Sequence, residues 1–167
     1  MRITLALCIA VLACPSAMAA EFDLYLVRHA EKASDGTRDP ALTPDGEARA
    51  ARLAAWLSTR GIEAAWSTNY QRTRQTVAPL AKAQGLKVKL YEPGDLTAQA
   101  TALLEAAQTA VVAGHSNTTP ELAAALSNCP VEPIDESVYN RLYHLRVEGD
   151  VVNLTVLDQS QVFDTPE

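Results

Sequence analysis

The stretch FDLYLVRHAEK, residues 22–32, joins an apolar strand to an abruptly charged end. FDLYLV has the composition of a β-strand, and Arg28, His29, Glu31 and Lys32 follow it directly. Ionisable side chains are costly to bury unless they are paired or bound to a ligand. The stretch therefore marks either a loop that emerges at the surface or a functional site.

Strand-like and helix-like segments alternate along the rest of the chain. Apolar residues at helical spacing predict helices through residues 50–57, 73–81, 100–107 and 122–126. Thr43 and Thr119 each precede a proline, which predicts an N-cap and the first turn of a helix. Further strands are predicted at IEAAWS, LKVKLY and TAVVAGH, and a C-terminal β-hairpin at YNRLYHLRV and VVNLTVLD. This order predicts an α/β fold, a three-layer α/β/α sandwich with a mainly parallel sheet.

The first twenty residues have the pattern of a secretory signal peptide. Arg2 is their only charge, an apolar run covers residues 3–13, and the small residues of PSAMAA follow. The pattern predicts cleavage after Ala19 or Ala20. We therefore expect a periplasmic or secreted protein that has no membrane segment after cleavage.

Cys14 leaves an alternative open, in which a lipid on this cysteine tethers the chain to a membrane. The bulky Leu12 and the adjacent Pro15 disfavour that processing. With an ordinary leader removed, Cys129 is the only cysteine left, so no internal disulfide can form. The fold must then depend on its hydrophobic core.

Length and charge limit the function classes. A chain of 167 residues, 48% of them hydrophobic, fits one globular domain with its own core. The formal net charge of −6 argues against a nucleic-acid partner. Any anionic ligand must therefore be bound by a local cluster of basic groups. The sequence does not indicate an oligomeric state.

Basic and histidine side chains follow three of the predicted strands. Arg28 and His29 follow the first strand, Arg72 the second and His115 the fourth. Ligands of parallel α/β sheets bind beyond the carboxyl ends of the strands, so these side chains should meet at one edge. Arginine forks match phosphate oxygens, and a histidine can accept a phosphoryl group. The sequence therefore predicts phosphoryl transfer with one histidine as nucleophile.

Four motifs in this order resemble the histidine phosphatase superfamily, which includes phosphoglycerate mutases and acid phosphatases. They are LVRHAEK, LTPDGEARA, STNYQRTRQT and VVAGHS. The resemblance spans nearly all of the mature chain, so it implies one histidine phosphatase domain at residues 21–167, after the signal peptide predicted at residues 1–20. The short chain has no long insertion that would form a lid, and in this it is similar to the phosphohistidine phosphatases of the superfamily.

The resemblance implies roles for individual residues. His29 would be phosphorylated, Arg28 and Arg72 would hold the phosphoryl oxygens, and His115 would assist them. Asn117 either binds phosphate or begins the turn into the next helix, and we favour binding. Ala30 stands where glycine is usual in the superfamily, so its side chain must fit beside the ligand. The implied substrate is a phosphorylated small molecule or a phosphoprotein, and we expect no cofactor and no metal.

No acidic residue stands at an obvious position to protonate the leaving group. Glu92 and Asp95 follow the third strand and are the possible acids, whereas Ser116 and Asn117 after His115 are not acidic. Because a positioned general acid is worth about 10²–10⁴-fold, its absence predicts a preference for good leaving groups.

Three alternatives remain open besides a secreted phosphatase. A phosphoglycerate mutase-like phosphotransferase would share the fold, but export disfavours it. A non-catalytic phosphate-binding module would not need both His29 and His115. A metal hydrolase is disfavoured because no tight ligand spacing such as His-x-x-x-His occurs.

Overall fold

The computed structural model describes residues 20–163 as a six-stranded sheet with helices on both faces. The strands are β1 (Glu21–Arg28), β2 (Ala64–Thr68), β3 (Val88–Tyr91), β4 (Ala110–Gly114), β5 (Arg141–Glu148) and β6 (Val151–Asp158). The helices are α1 (Pro44–Leu57), α2 (Gln71–Gln84), α3 (Leu96–Ala106), α4 (Thr118–Ser127) and the short α5 (Gln159–Val162). The predicted leader, with Cys8 and Cys14, lies outside the described residues.

The strand order is β3-β2-β4-β1-β5-β6, and the first four strands run parallel. Strand β5 is antiparallel to β1, and β6 is antiparallel to β5, as the predicted hairpin requires. The α/β/α sandwich is thereby confirmed. Because β5 is antiparallel to β1, pairing of Val27 with Leu142 places the start of β5 beside the end of β1. The loop before β5 consequently reaches the edge where the predicted site lies.

The two faces of the sheet bury separate apolar layers. Helices α1 and α2 cover one face through Leu53, Leu57, Val77 and Leu80. Helices α3 and α4 cover the other face through Leu103, Leu122 and Leu126. This burial supplies the hydrophobic stabilisation of a domain that has no disulfide within residues 20–163, where Cys129 is free and exposed. None of the helices in this range is long and apolar enough to cross a membrane.

The predicted N-cap is correct for α1 and two residues too late for α4. Thr43 is the N-cap of α1, where its side chain accepts a hydrogen bond from the Gly46 amide at 3.2 Å. Helix α4 begins at Thr118 with Asn117 in the N-cap position, so Thr119 lies inside the helix rather than at its cap. The Thr118 hydroxyl accepts from the His115 amide at 3.0 Å, which explains the earlier start.

Candidate active site

The two histidines meet because β1 and β4 are adjacent parallel strands. Arg28 pairs with Gly114, and the His29 amide donates to the Gly114 carbonyl at 2.9 Å. The residues that follow each strand therefore lie side by side, and the ring centroids of His29 and His115 are 5.7 Å apart. The predicted meeting at the carboxyl edge of the sheet is observed for this pair.

Arg72 enters the same cluster from the first turn of α2. Its guanidinium lies 4.4 Å from the ring centroid of Tyr70, whose ring is 5.2 Å from that of His115. The Arg72 Nη1 atom also lies 3.7 Å from Oδ1 of Asp39. The side chain of Arg72 is only 13% exposed, so its charge acts in a poorly hydrated environment.

A backbone hydrogen bond sets the proton position on His29. The Nδ1 atom lies 2.8 Å from the Ala30 carbonyl oxygen, which can only accept, so this contact assigns the proton to Nδ1. The lone pair of the neutral ring is then on Nε2. Burial, together with the charges of Arg28 and Arg72, lowers the pKa of His29 to about 3. The nucleophilic form is therefore present at neutral pH.

His115 is also neutral at ordinary pH. Burial and the charges of Arg72 and Arg28 lower its pKa to about 4, against a small opposing effect from Glu136. A neutral imidazole next to His29 adds no positive charge to the empty site, and it can take up a proton when an anion enters.

Ala30, which stands where glycine is usual in the superfamily, has its side chain in the protein interior. It is fully buried and packs with Leu42 and Ala50 in a small apolar cluster. Its amide donates to the Thr76 hydroxyl at 3.0 Å, and that hydroxyl donates to the Arg72 carbonyl at 2.7 Å. Thr76 thus connects the loop after His29 to the helix that carries Arg72.

Arg28 is held by the loop between α4 and β5. Its side chain is 1% exposed, and Nη1 donates to the carbonyl oxygens of Asp135, Glu136 and Val138 at 3.2, 2.7 and 3.0 Å. The guanidinium also lies 4.1 Å from the ring centroid of Tyr139. These contacts fix the guanidinium in position before any ligand binds.

Three nitrogen atoms in this cluster lack a protein partner. Arg28 Nε, Arg72 Nε and His115 Nε2 are buried and make no hydrogen bond within the described chain. Buried polar groups are normally satisfied, so each of these atoms needs an explanation. A phosphoryl group next to His29 would supply acceptor oxygens for all three. The arrangement therefore fits a tetrahedral oxyanion.

Glu136 is a site residue that the sequence did not indicate. Its Oε2 atom accepts from Arg28 Nη2 at 3.0 Å, and its Oε1 atom accepts from the Ser116 hydroxyl at 2.5 Å. The hydrogen bond from Ser116 is the largest of the effects that lower the pKa of Glu136, so the carboxyl group is ionised at neutral pH. Knowledge that β5 is antiparallel to β1 would have indicated Glu136, because such a strand begins at the sheet edge where β1 ends.

No side-chain hydrogen bond or ion pair joins the remaining predicted residues to this cluster in the described part of the chain. The Asp95 carboxylate caps α3 by accepting from the Ala98 amide at 3.0 Å. Glu92 is exposed, and no side-chain hydrogen bond or ion pair of Glu92 occurs within residues 20–163. Asn117 is exposed and does not cap α4 through its side chain. A role for any of them stays a prediction.

Metal-binding clusters are absent from the part of the chain that the structure describes. Across residues 20–163, no group of three or more His, Cys, Asp or Glu side chains could hold a metal ion.

Two histidines and two arginines at the carboxyl edge of a parallel sheet suit phosphoryl transfer through a histidine. A sequence profile described as the histidine phosphatase superfamily (branch 1) matches residues 24–93, which include Arg28, His29 and Arg72. The match supports the resemblance and includes three of the four motifs, whereas VVAGHS with His115 lies beyond it. A search of curated proteins gives no match.

Solved structures with the same fold include several phosphatases. A structure assigned as phosphohistidine phosphatase SixA from Nakamurella multipartitia is 23% identical, with a TM-score of 0.63, and the match covers 83% of this chain and 96% of that one. The protein histidine phosphatase SixA complexed with tungstate is 18% identical, with a TM-score of 0.67 and coverage of 84% and 99%. A mycobacterial glucosyl-3-phosphoglycerate phosphatase with inorganic phosphate is 14% identical, with a TM-score of 0.65 and coverage of 86% and 100%. At these identities the likeness concerns the fold.

Proposed function

We propose that this chain is a secreted phosphatase that hydrolyses phosphomonoesters or related phosphoryl compounds through a phosphohistidine on His29. One observation carries the proposal: three buried nitrogen atoms without partners, on Arg28, Arg72 and His115, surround a histidine whose Nε2 lone pair is available. The family match and the shared fold support the same reaction.

The reaction would proceed in two steps. In the first, His29 Nε2 attacks phosphorus, a P–N bond forms and the P–O bond to the leaving group breaks. In the second, water attacks the phosphohistidine, the P–N bond breaks and inorganic phosphate leaves. Arg28 and Arg72 would stabilise the charge on the equatorial oxygens, because their guanidinium groups are fixed donors that need no reorganisation during the reaction.

The proposed substrates are phosphoryl compounds with good leaving groups, such as aryl phosphates, anhydrides and a phosphorylated imidazole. Glu136 is ionised and can only accept hydrogen bonds, and Asp95 caps α3. Glu136 therefore offers no proton to the leaving group, and Asp95 is engaged at the start of α3. The similarity to SixA, named as a protein histidine phosphatase, supports a phosphoprotein as one candidate.

The test is hydrolysis of an aryl phosphate by the mature chain and by His29→Asn. The wild type should turn over with or without chelator, and acid-labile phosphate should be trapped on it after rapid quenching. His29→Asn should show neither turnover nor label, because asparagine cannot accept the phosphoryl group. Label that persists in this variant contradicts the mechanism, and turnover lost with chelator would favour a metal hydrolase.

Export is a separate part of the proposal and has a separate test. The full chain should be expressed in a host with two membranes and recovered outside the cytoplasm. Mass spectrometry of the purified protein should show Ala20 or Glu21 as the first residue. An intact Met1 or a lipid on Cys14 would contradict cleavage by an ordinary signal peptidase.

A further inference from the structure

A second cleft adjoins the phosphoryl site and shares one of its walls. It has a volume of about 350 Å³ and is formed by the loop between β1 and α1, with Arg72 on its other side. Lys32 and Arg38 line it together with small and polar residues of the loop. We name it the basic cleft, defined by Lys32, Arg38 and Arg72. A group bound there would lie next to a phosphoryl group held by Arg72.

The loop that forms the basic cleft is closed at its base. Lys32 and Leu42 form an isolated antiparallel bridge, and the Ala33 amide donates to the Ala41 carbonyl at 2.9 Å. Within the loop, the Asp35 carboxylate accepts from the amide and the hydroxyl of Thr37 at 3.0 and 2.7 Å. The positions of the basic side chains along the loop are therefore set by its own hydrogen bonds.

Two of the three cations of the basic cleft, Lys32 and Arg38, have no protein ion pair in the described chain, whereas Arg72 lies 3.7 Å from Asp39. The side chains of Lys32 and Arg38 also make no hydrogen bond within residues 20–163. Two carboxylates lie nearby: the hydrogen bonds from Thr37, and to a smaller extent the charge of Lys32, lower the pKa of Asp35, and Asp39 accepts from the Gln71 amide at 2.7 Å. In a chain with a net charge of −6, two unpaired cations beside an oxyanion site indicate a second anionic ligand group.

We propose that the basic cleft binds a second anionic group of the same substrate, a carboxylate or a further phosphate. This inference rests on the proposed phosphatase function. Lys32 and Arg38 would hold the second group while Arg28 and Arg72 hold the reacting phosphoryl. The preferred substrate is then a phosphomonoester with two anionic ends, the second of which would lie in the cleft of about 350 Å³.

A matched pair of substrates tests the subsite. In meta-carboxyphenyl phosphate the second group is anionic, and in its methyl ester the same position is neutral. Wild type should hydrolyse the carboxylate with a kcat/KM about tenfold higher, as expected for two partly exposed ion pairs. The double variant Lys32→Gln, Arg38→Gln should lose this preference and keep its activity on the methyl ester.

The control variant removes the same charge elsewhere. Lys82→Gln, Lys87→Gln changes two exposed lysines at the opposite edge of the sheet, near the start of β3, and should keep the preference. Equal kcat/KM values for the two substrates in wild type overturn the proposal, and so does a preference that survives in the double variant at the basic cleft. If added benzoate raises kcat/KM for the methyl ester to the value for the carboxylated substrate, the cleft binds free anions and the inference about the substrate is wrong.

A binding measurement separates failure of the subsite from failure of the catalytic proposal. The corresponding aryl phosphonates cannot be hydrolysed, and their affinities can be compared by titration calorimetry. Tighter binding of the carboxylated phosphonate, lost in the double variant, supports the basic cleft even if no ester is hydrolysed. Equal binding of the two phosphonates overturns the subsite whatever the activity of the enzyme.

Discussion

The substitution Gly46→Ala should lower both stability and activity, although residue 46 lies in helix α1, where alanine is normally favoured over glycine. Gly46 is in the first turn of α1 and packs against the backbone of Glu31. A Cβ atom there would lie 2.2 Å from the Glu31 carbonyl oxygen and 3.0 Å from its amide nitrogen. Because a carbon atom normally stays about 3.3 Å from a carbonyl oxygen, α1 and the loop must separate by about 1 Å.

The magnitude follows from two opposing effects. Alanine improves the helix propensity by about 1 kcal/mol, and overpacking costs about 1–3 kcal/mol. The separation also strains the hydrogen bond from the Thr43 amide to the Glu31 carbonyl, which is 2.9 Å long. We expect a net loss of about 1–2 kcal/mol and a Tm lower by about 2–8 °C. Glu31 is two residues from His29, and a displacement of 1 Å at a reacting group costs about 10²-fold in rate.

Thermal unfolding and kcat/KM on an aryl phosphate measure the two effects. Gly94→Ala is the matched control, because a Cβ atom at Gly94 meets nothing within 4 Å and the backbone there is not left-handed. If Gly46→Ala is as stable as Gly94→Ala and equally active, the contact between α1 and the loop does not position His29. Loss of stability with unchanged kcat/KM would refute the catalytic half of the reasoning alone.

Three further perturbations address the site itself. Glu136→Gln removes the carboxylate that competes for Arg28, so inorganic phosphate should inhibit about threefold to tenfold more strongly, as its inhibition constant will show; unchanged inhibition contradicts that competition. Thr76→Val leaves the buried Ala30 amide without an acceptor and should cost about 1–3 kcal/mol in urea unfolding, with lower turnover; wild-type stability would rule this out. Burial keeps His29 and His115 neutral in the folded state, with pKa values lowered from 6.5 to about 3 and about 4, while the unfolded chain binds protons near 6.5. Stability should therefore be complete above pH 6.5 and decline as the pH falls towards 4, and a double glutamine variant at both histidines should show a weaker decline in urea unfolding across that range.

The parts of the fold that could be predicted depend on regular patterns. Helical spacing and short apolar runs gave the alternating elements, and the placement of ligands at the carboxyl ends of parallel strands gave the meeting of His29 with His115. Arg72 was predicted in the same way, from its position just after β2. Each of these inferences needs only local sequence and a general rule of α/β sheets.

The parts that could not be predicted depend on a loop without periodicity. The segment between α4 and β5 supplies Glu136, Tyr139 and the carbonyl oxygens that hold Arg28. Its position follows from the antiparallel pairing of β5 with β1, a tertiary contact that spacing along the chain does not reveal. The two-residue error at the start of α4 has a similar cause, since the Thr118 hydroxyl accepts from the His115 amide and the cap falls at Asn117 rather than Thr119.

The hydrogen bond that orients His29, the proposed nucleophile, affects which mutations could inactivate this protein. The acceptor for His29 Nδ1 is a main-chain oxygen, that of Ala30, rather than a side-chain carboxylate. Every amino acid carries that oxygen, so no single codon change deletes it. A carboxylate in its place would be a target for mutation and would also attract a proton to the ring. A mutation can therefore change the orientation of His29 only indirectly, by moving the backbone of residues 30 and 31. Thr76, which binds the Ala30 amide, and Gly46, which packs against the Glu31 backbone, are two positions where a mutation would do so.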